Sequence, residues 1–229
     1  MQEALAWHGI LDQSLVDGPA MQSWNRLADA AKVGDWSTVL NMLDEPSHPP
    51  DTNHQVDANQ WRPGGKSLFT VLHQAAWHGA PTDVVSELIE RGALRSLKEA
   101  HGRTAYDIAV EHDHPDDLRQ LLLPPPSPLR PARIRALDTN LAQVIDGRVQ
   151  ELYPDRYLRK ILRYPSVEVF HEAPAQRVWF AIPGMYGGFD MRLRQGYVET
   201  LSWCRVAGGS GQVHVITHEG AILVDEGFA

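Results

Sequence analysis

Cysteine and histidine side chains near the C-terminus are the residues of this chain best suited to covalent chemistry. Cys204 is the single cysteine, and His214 or His171 could supply the imidazole that activates a thiol nucleophile. However, Cys204 lies beside Arg205 in a segment of β-strand character, and no acid that would orient a histidine is evident. We therefore expect Cys204 to be a small core residue. An enzyme with an active site near these four residues stays open as an alternative.

Metal and phosphate sites have equally weak support in the sequence. His214 and His218 would share one face of a strand, as metal ligands do, but a third ligand is not evident. The glycine-rich residues 208–211 do not complete a nucleophile elbow, because Gln212 stands where that motif needs glycine. Residues 63–66 lack the spacing of a phosphate-binding loop. We therefore predict no metal, no cofactor and no catalytic residue.

Three segments in the N-terminal half share one pattern. Each begins with a helix rich in small residues, continues through a polar break, and ends with a second helix that has leucines or valines at helical spacing. The segments begin at Leu27, Leu72 and Ala105, and alignment of Ala75 with Ala109 gives a period of 34 residues. Because a single helix pair cannot bury its own apolar side, the pattern predicts a stack of helix pairs.

The second of these segments carries a recognisable motif. Residues 70–76, TVLHQAA, resemble the T-P-L-H-x-A-A signature of the ankyrin repeat, with Val71 in place of proline. Residues 102–104, GRT, are similar to the start of the next ankyrin unit, although Tyr106 and Asp107 depart from its Leu-His pair. Departures of this kind are common at a terminal repeat.

The resemblance to ankyrin repeats covers residues 67–123 and, less closely, residues 22–45. It implies a rigid stack whose concave face binds other proteins, and it implies that His73 hydrogen-bonds neighbouring backbone. The variable end of the first helix in each ankyrin unit borders that face, and a tryptophan there either contacts a partner or only covers a loop. The contact residues predicted within the repeats are Trp77, His78, Glu111 and His112.

A long insertion separates the first unit from the second. Ala30 and Ala75 are 45 residues apart, where the later interval is 34. The excess falls in residues 46–66, whose proline, glycine, asparagine and aspartate content predicts a surface loop. The loop carries Trp61 beside Arg62, residue types that are enriched in binding hot spots. We predict both as partner contacts, with the alternative that the tryptophan folds back on its own domain.

The tetrapeptide AWHG occurs at residues 6–9 as well as at residues 76–79. The 25 residues from Ala6 to Ala31 do not fit the repeat period. We interpret the echo as coincidence, within a short N-terminal helix that caps the stack.

The C-terminal half has a different organisation. Prolines in residues 124–131 end the last repeat helix and favour a stiff, extended linker. Residues 134–153 and 155–165 then have the periodicity of two amphipathic helices. From Val167 onward, short alternating runs separated by glycine turns predict six strands, beginning with VEVF at residues 167–170, in a sheet covered by the helices. This half is similar to segments that follow ankyrin repeats in bacterial proteins of unassigned role.

Charge is distributed unevenly along the chain. Residues 1–129 carry 18 Asp or Glu and 9 Lys or Arg, whereas residues 130–163 carry 4 and 8. An acidic body argues against nucleic-acid binding and would attract a basic protein, although the charge could instead only maintain solubility. The N-terminus does not read as a signal peptide, and no stretch reaches the length of a membrane span. We therefore expect a cytoplasmic protein.

Together these features predict an α+β protein. An N-terminal ankyrin-like α-helical repeat stack spans residues 1–123, a proline-rich linker spans 124–131, and a C-terminal helix pair with a small antiparallel β-sheet spans 132–229. The leading hypothesis is a module that binds a protein partner of basic character, with neutralisation of a basic toxin by an immunity or antitoxin protein as its most specific form. The alternatives are an enzyme to which the repeats recruit substrate, and a scaffold or regulatory subunit. No membrane, nucleic-acid or cofactor partner is expected.

Overall fold

The computed structural model describes residues 4–45, 56–205 and 209–227, and the chain divides into two compact units. The first, called the repeat unit below, comprises Ile10–Pro125. The second, called the sheet unit, comprises Met1–Gly9 together with Pro126–Ala229. The helical repeats and the C-terminal sheet confirm the predicted α+β class.

Three helix pairs build the described part of the repeat unit. Their helices are α1 (Gly18–Val33), α2 (Trp36–Asp44), α3 (Val71–His78), α4 (Thr82–Glu90), α5 (Ala105–Glu111) and α6 (Asp116–Leu122). The first helices of the pairs form an inner row in which α1 contacts α3 and α3 contacts α5, while α2, α4 and α6 form an outer row. Gly34 and Gly79 end α1 and α3 in the left-handed conformation that glycine adopts without steric cost.

One continuous apolar core joins the three pairs. Alanines such as Ala75, Ala76 and Ala109 are buried where the inner helices approach each other closely. Larger side chains fill the space between successive pairs, including Leu88 and Ile108. Each pair therefore buries its apolar side only against its neighbours, as in a repeat stack.

The inner helices α3 and α5 begin with equivalent hydrogen bonds made by different residues. The backbone N–H of Thr70 donates to His73 Nδ1 at 3.3 Å, which confirms the structural role predicted for the buried His73. At the next repeat, the backbone N–H of Thr104 donates to Asp107 Oδ2 at 2.8 Å, and Asp107 N–H donates to Thr104 Oγ1 at 3.2 Å. Asp107 thus departs from the ankyrin pattern in sequence while making the same capping box.

The sheet unit contains six strands in the order β1-β2-β3-β4-β5-β6. Their bounds are β1 (Leu5–Ala6), β2 (Arg177–Ile182), β3 (Gly187–Leu193), β4 (Val198–Cys204), β5 (Ser210–Ile216) and β6 (Ala221–Gly227). Strands β2 to β6 pair antiparallel, and β1 pairs parallel to β2. The strand predicted at residues 167–170 is wrong, because Val167–His171 forms a 3-10 helix.

The N-terminal segment forms a strand, so the helix predicted there is wrong. Leu5 and Ala6 pair with Val178 and Trp179, and the backbone N–H of Trp7 donates to the Trp179 carbonyl at 2.8 Å. The indole N–H of the buried Trp7 donates to the Arg163 carbonyl at 2.7 Å. Residues 1–9 therefore group with the C-terminal half, whereas the predicted boundaries placed them with the repeats.

One of the two predicted helices covers part of the sheet. The long helix α7 (Pro131–Val149) contacts β5 and β6 and buries Leu137, Leu141 and Ile145. The second helix, α8, is confined to Leu158–Ile161, which is shorter than the predicted segment. Within the parts of the chain that the structure describes, none of the helices combines the length and apolar character needed to cross a bilayer.

Candidate functional site

The C-terminal ends of the three inner helices present a row of exposed side chains. Val33 ends α1, Trp77 and His78 end α3, and Glu111 and His112 lie at the end of α5. The exposed fractions of Val33 and Trp77 are 75% and 46%, and the other three residues are also exposed. These five residues are called the inner-helix row below. The structure thus brings together four of the six predicted contact residues.

Side-chain contacts connect neighbouring helices along the inner-helix row. The rings of Trp77 and His112 meet edge to face, with centroids 4.3 Å apart and planes at 63°. On the other side, His78 Nε2 donates to the Lys32 carbonyl at the end of α1, at 3.0 Å. Because Trp77 and His78 each reach a different neighbouring helix, α3 fixes the geometry of the whole row.

Two aromatic residues that the sequence did not single out support the inner-helix row from beneath. Phe69 lies 6.2 Å from Trp77 between ring centroids, and Trp36 lies 6.0 Å from His78. Both are partly buried against the core of the repeat unit. Val33 was also missed, although it precedes His78 by 45 residues, the same interval that separates Ala30 from Ala75. The repeat spacing therefore contained the signal for Val33, whereas Phe69 and Trp36 needed the fold.

A buried carboxylate organises the turn that precedes α5. Glu99 accepts hydrogen bonds from the backbone N–H groups of His101 and Arg103, at 2.8 and 3.2 Å, and its side chain is fully buried. The Arg103 guanidinium also pairs with Glu111 of the inner-helix row. Burial acts to raise the pKa of Glu99, but the hydrogen bonds from His101 and Arg103 outweigh it and hold the pKa below its ordinary value. The turn therefore fixes one side of the row through a charged network.

The structure does not support Trp61 as a partner contact. Its side chain is buried, with 2% exposed, and its indole N–H donates to the Ile10 carbonyl at 3.1 Å. The alternative, that the tryptophan folds back on its own domain, is therefore the observed one, because burial removes a large apolar surface from water while the N–H keeps an acceptor. Arg62 is half-exposed and pairs with Asp29 of α1. Residues 46–55 of the predicted loop lie outside the described residues.

Acidic groups dominate the surface of the repeat unit. Residues 10–125 carry 17 Asp or Glu and 9 Lys or Arg. Several of the arginines are held by carboxylates, as in the pair between Arg91 and Asp44, with two N–O distances of 2.8 Å. Exposed carboxylates remain beside these pairs, namely Asp83, Glu90, Asp113 and Asp117. The unit therefore presents a net negative surface to a partner.

Cys204 and His214, two residues of the alternative active site, lie apart in the sheet. In the pairing of β4 with β5, Cys204 lies opposite Ser210 and His214 lies opposite Thr200, so four residues, or about 13 Å of strand, separate the thiol from the imidazole. His171 Nδ1 donates to the Glu168 carbonyl at 2.5 Å. Burial, and then the nearby Arg148 charge, lower the pKa of His214.

The described residues also include the histidines that the sequence offered as metal ligands. Within the described part of the chain, no group of three or more histidine, cysteine, aspartate or glutamate side chains is arranged to hold a metal ion.

Comparison with known proteins identifies the repeats. Residues 51–109 match a family model described as ankyrin repeats (many copies). The match includes α3, α4 and most of α5, and a search of curated proteins found no match. Residues 51–109 are therefore similar to ankyrin repeats, which generally mediate protein–protein interaction and are typically non-catalytic.

Proposed function

We propose that this protein binds a partner protein through the inner-helix row. The observation that carries the proposal is Trp77, a half-exposed indole that rests on Phe69 and His112 at the end of a rigid helix. Tryptophan is enriched in binding hot spots because a large ring can be desolvated with little loss of side-chain freedom. The row therefore offers a fixed apolar anchor.

The surroundings of Trp77 favour specific recognition. Glu111 and the histidines surround the indole with polar groups, as the rim of an interface does. Ankyrin repeats generally recognise proteins, and a stack that does not change shape avoids the entropy cost of ordering a loop on binding.

Charge supports a basic partner. The negative surface of the repeat unit attracts a positively charged protein at long range and speeds its association. Neutralisation of a basic toxin, in the manner of an immunity or antitoxin protein, is the most specific form of this proposal. The proposed contact residues are Trp77, His78, Glu111 and His112, joined by Val33. Arg62, which pairs with Asp29 of α1, is proposed as a further contact. The enzyme and scaffold alternatives stay predictions.

The proposal is tested by affinity purification with the full chain as bait, from lysate of the source cell, followed by mass spectrometry. Wild type is compared with Trp77→Ala and with Tyr186→Ala, whose exposed tyrosine lies in the sheet unit. We expect a basic protein that wild type and Tyr186→Ala enrich equally and that Trp77→Ala loses. With that protein purified, calorimetry is expected to show affinity reduced about 30-fold by Trp77→Ala, the effect of a 2 kcal/mol hot spot.

Salt dependence tests the charge component separately. The association rate is expected to fall as ionic strength rises, because screening weakens the attraction between an acidic surface and a basic partner. Equal enrichment by wild type and Trp77→Ala would show that the inner-helix row is not the binding surface. An acidic partner whose association speeds up with salt would rule out the basic-partner form.

A further inference from the structure

A cavity of about 200 Å³ lies inside the repeat unit, between α1 and the segment that leads into α3. Helix α1 lines it with small and apolar residues, including Leu27 and Ala31, and with the exposed Lys32. The opposite wall comes from Gln60, residues 67–71 and Gln74. Since the lining includes exposed side chains as well as buried ones, the cavity is reachable from solvent.

Gln60 is the unusual residue in this lining. Its side chain is buried, with 4% exposed, and neither Nε2 nor Oε1 has a hydrogen-bond partner among the residues that the structure describes. A buried carboxamide in this state has lost its bonds to water without gaining protein partners, which is unfavourable for folding. Native proteins satisfy nearly all such groups, so an exception calls for a physical reason.

The neighbouring residue shows what a structural carboxamide looks like in the same segment. Asn59 is also buried, with 6% exposed, but both polar atoms of its amide form hydrogen bonds. Its Nδ2 donates to the Gly92 carbonyl at 2.9 Å, and its Oδ1 accepts from the Leu94 backbone N–H at 2.8 Å. Asn59 therefore fastens the segment to the second repeat, whereas the Gln60 carboxamide does not serve that purpose.

The backbone of the cavity wall is held in a costly conformation. Leu68 lines the cavity with a φ of 55°, in the left-handed region that residues with a Cβ rarely adopt. Strain of this kind persists where the surrounding structure over-determines the chain, and it clusters at ligand-binding sites. The strained Leu68 backbone and the unsatisfied Gln60 amide both indicate that this wall of the cavity contacts a ligand.

We propose that the cavity binds a carboxamide group. Gln60 offers two N–H donors and one carbonyl acceptor, and a second carboxamide returns both kinds of bond at once. A carboxylate would accept from Nε2 but leave Oε1 without a donor. An ammonium group would satisfy Oε1 alone, and it would meet the cationic Lys32 and Arg62 in the lining. A primary carboxamide satisfies both buried atoms from one side and adds no charge, whereas the trans amide of a peptide bond directs its N–H and its carbonyl to opposite sides.

Two residues of the cavity lining also contact the inner-helix row, which suggests the source of the carboxamide. Phe69 lines the cavity and contacts Trp77, while Lys32 lines the cavity and its carbonyl accepts from His78. An asparagine or glutamine side chain of a protein held on the row could therefore enter the cavity. This assignment of the source rests on the proposed function, whereas the carboxamide chemistry does not, since a free small amide has the same group.

Nuclear magnetic resonance of the full chain tests the chemistry directly. The Gln60 side-chain NH2 signals are assigned by their loss in Gln60→Met, a variant of similar length. The probes are acetamide, acetate, and the capped residues N-acetyl-glutamine and N-acetyl-methionine N-methylamides. We expect acetamide and the capped glutamine to shift the Gln60 signals saturably and at lower concentration than acetate, which satisfies Nε2 alone, and we expect the capped methionine to leave them unchanged. Tighter binding of the capped glutamine than of acetamide, by tenfold or more, favours a protein side chain, and equal binding favours a free amide.

A stability measurement keeps the test informative if the probes bind weakly. Gln60→Met is expected to leave the melting temperature unchanged or higher, because methionine removes an unsatisfied buried amide, while Asn59→Ala is expected to lower it. If neither amide gives a saturable shift, the cavity holds only water and the proposal is overturned. The proposal is also overturned if acetate and the capped methionine give shifts equal to those of the two amides. A fall in melting temperature for Gln60→Met as large as that for Asn59→Ala also overturns it. No partner protein enters these measurements, so their failure is distinct from failure of the Trp77 binding test.

Discussion

The two units of this protein differ in how far apart in the sequence their packed elements lie. In the repeat unit, each helix pair contacts the pair that follows it in sequence, and one core runs from Leu27 to Leu122. In the sheet unit, β2 is flanked by β3, its neighbour in sequence, and by β1, which lies more than 170 residues earlier in the chain. Contacts between consecutive helix pairs can be predicted from short-range sequence patterns, whereas the pairing of β1 with β2 cannot.

The units also expose apolar side chains in different settings. In the repeat unit, Trp77 is supported by ring contacts on two sides and lies at the end of a packed helix. In the sheet unit, Ile222, Leu223 and Val224 are exposed on β6, the strand at the edge of the sheet. A supported ring has a fixed geometry that a partner can recognise, which is why the proposed function rests on the repeat unit.

Removal of the N-terminal anchor of the sheet unit is expected to have the largest effect on stability. Trp7→Ala is expected to destabilise that unit by about 4 kcal/mol, because it deletes a buried indole and the hydrogen bond to Arg163. Hydrogen exchange followed by mass spectrometry should show faster exchange in β2, which pairs with β1. Tyr157→Ala, which truncates an exposed tyrosine of the same unit, is the control and should change exchange little. Unchanged protection of β2 in Trp7→Ala would mean that β1 contributes nothing to the sheet.

The corresponding change in the repeat unit is Glu99→Gln. It is expected to lower the free energy of unfolding by about 2 to 3 kcal/mol at pH 7, because a buried carboxylate that accepts several hydrogen bonds is replaced by an amide. Since the pKa of Glu99 is lowered in the folded protein, its contribution is present above the unfolded pKa and is lost as the pH falls below about 4.3.

Urea denaturation at pH 7 and at lower pH measures this effect, with hydrogen exchange of residues 99–111 as the local readout. The control is Glu111→Gln, whose exposed carboxylate pairs with the same Arg103 and should contribute at most about 0.5 kcal/mol. A difference between wild type and Glu99→Gln that grows as the pH falls would contradict the direction of the pKa shift.

The smallest of these effects tests whether the two capping boxes are equivalent. Asp107→Ala is expected to destabilise the repeat unit by about 1 kcal/mol, the usual contribution of a helix cap. Asp107→His imports the residue found at position 73 of the preceding repeat and should retain most of the wild-type stability. Thermal unfolding of the two variants decides the point. Equal losses in both would show that histidine cannot replace aspartate at this position.

The repeats were predicted well because their signals are short-range. The alanines, the polar breaks and the capping residue His73 all lie within one 34-residue period, and the resulting fold class is confirmed. Asp107 departs from the ankyrin pattern, yet it accepts the same hydrogen bond from the N-cap backbone as His73 does in the preceding repeat. The capping interaction is therefore retained between the repeats while the residue type differs. The contact assignments of Trp77, His78, Glu111 and His112 stay predictions.

The errors came from long-range packing. Tryptophan is a residue type that is enriched in binding hot spots, but the fold shows that the Trp61 indole is buried and donates to the Ile10 carbonyl. The segment around Val167 has the apolar alternation of a strand, yet it forms a 3-10 helix whose Val167 N–H donates to Asp138 of α7. In both cases a distant partner decided the outcome.

Residue type and near-neighbour spacing were sufficient to predict the helix-pair repeat, the small-residue packing and the acidic balance of the N-terminal half. The three-dimensional fold was needed to show that β1 joins the C-terminal sheet, that Trp77 and His112 touch while Trp61 is buried, and that Gln60 lines a cavity. Those features depend on which distant surfaces exclude water from each other, and near-neighbour spacing does not encode that choice.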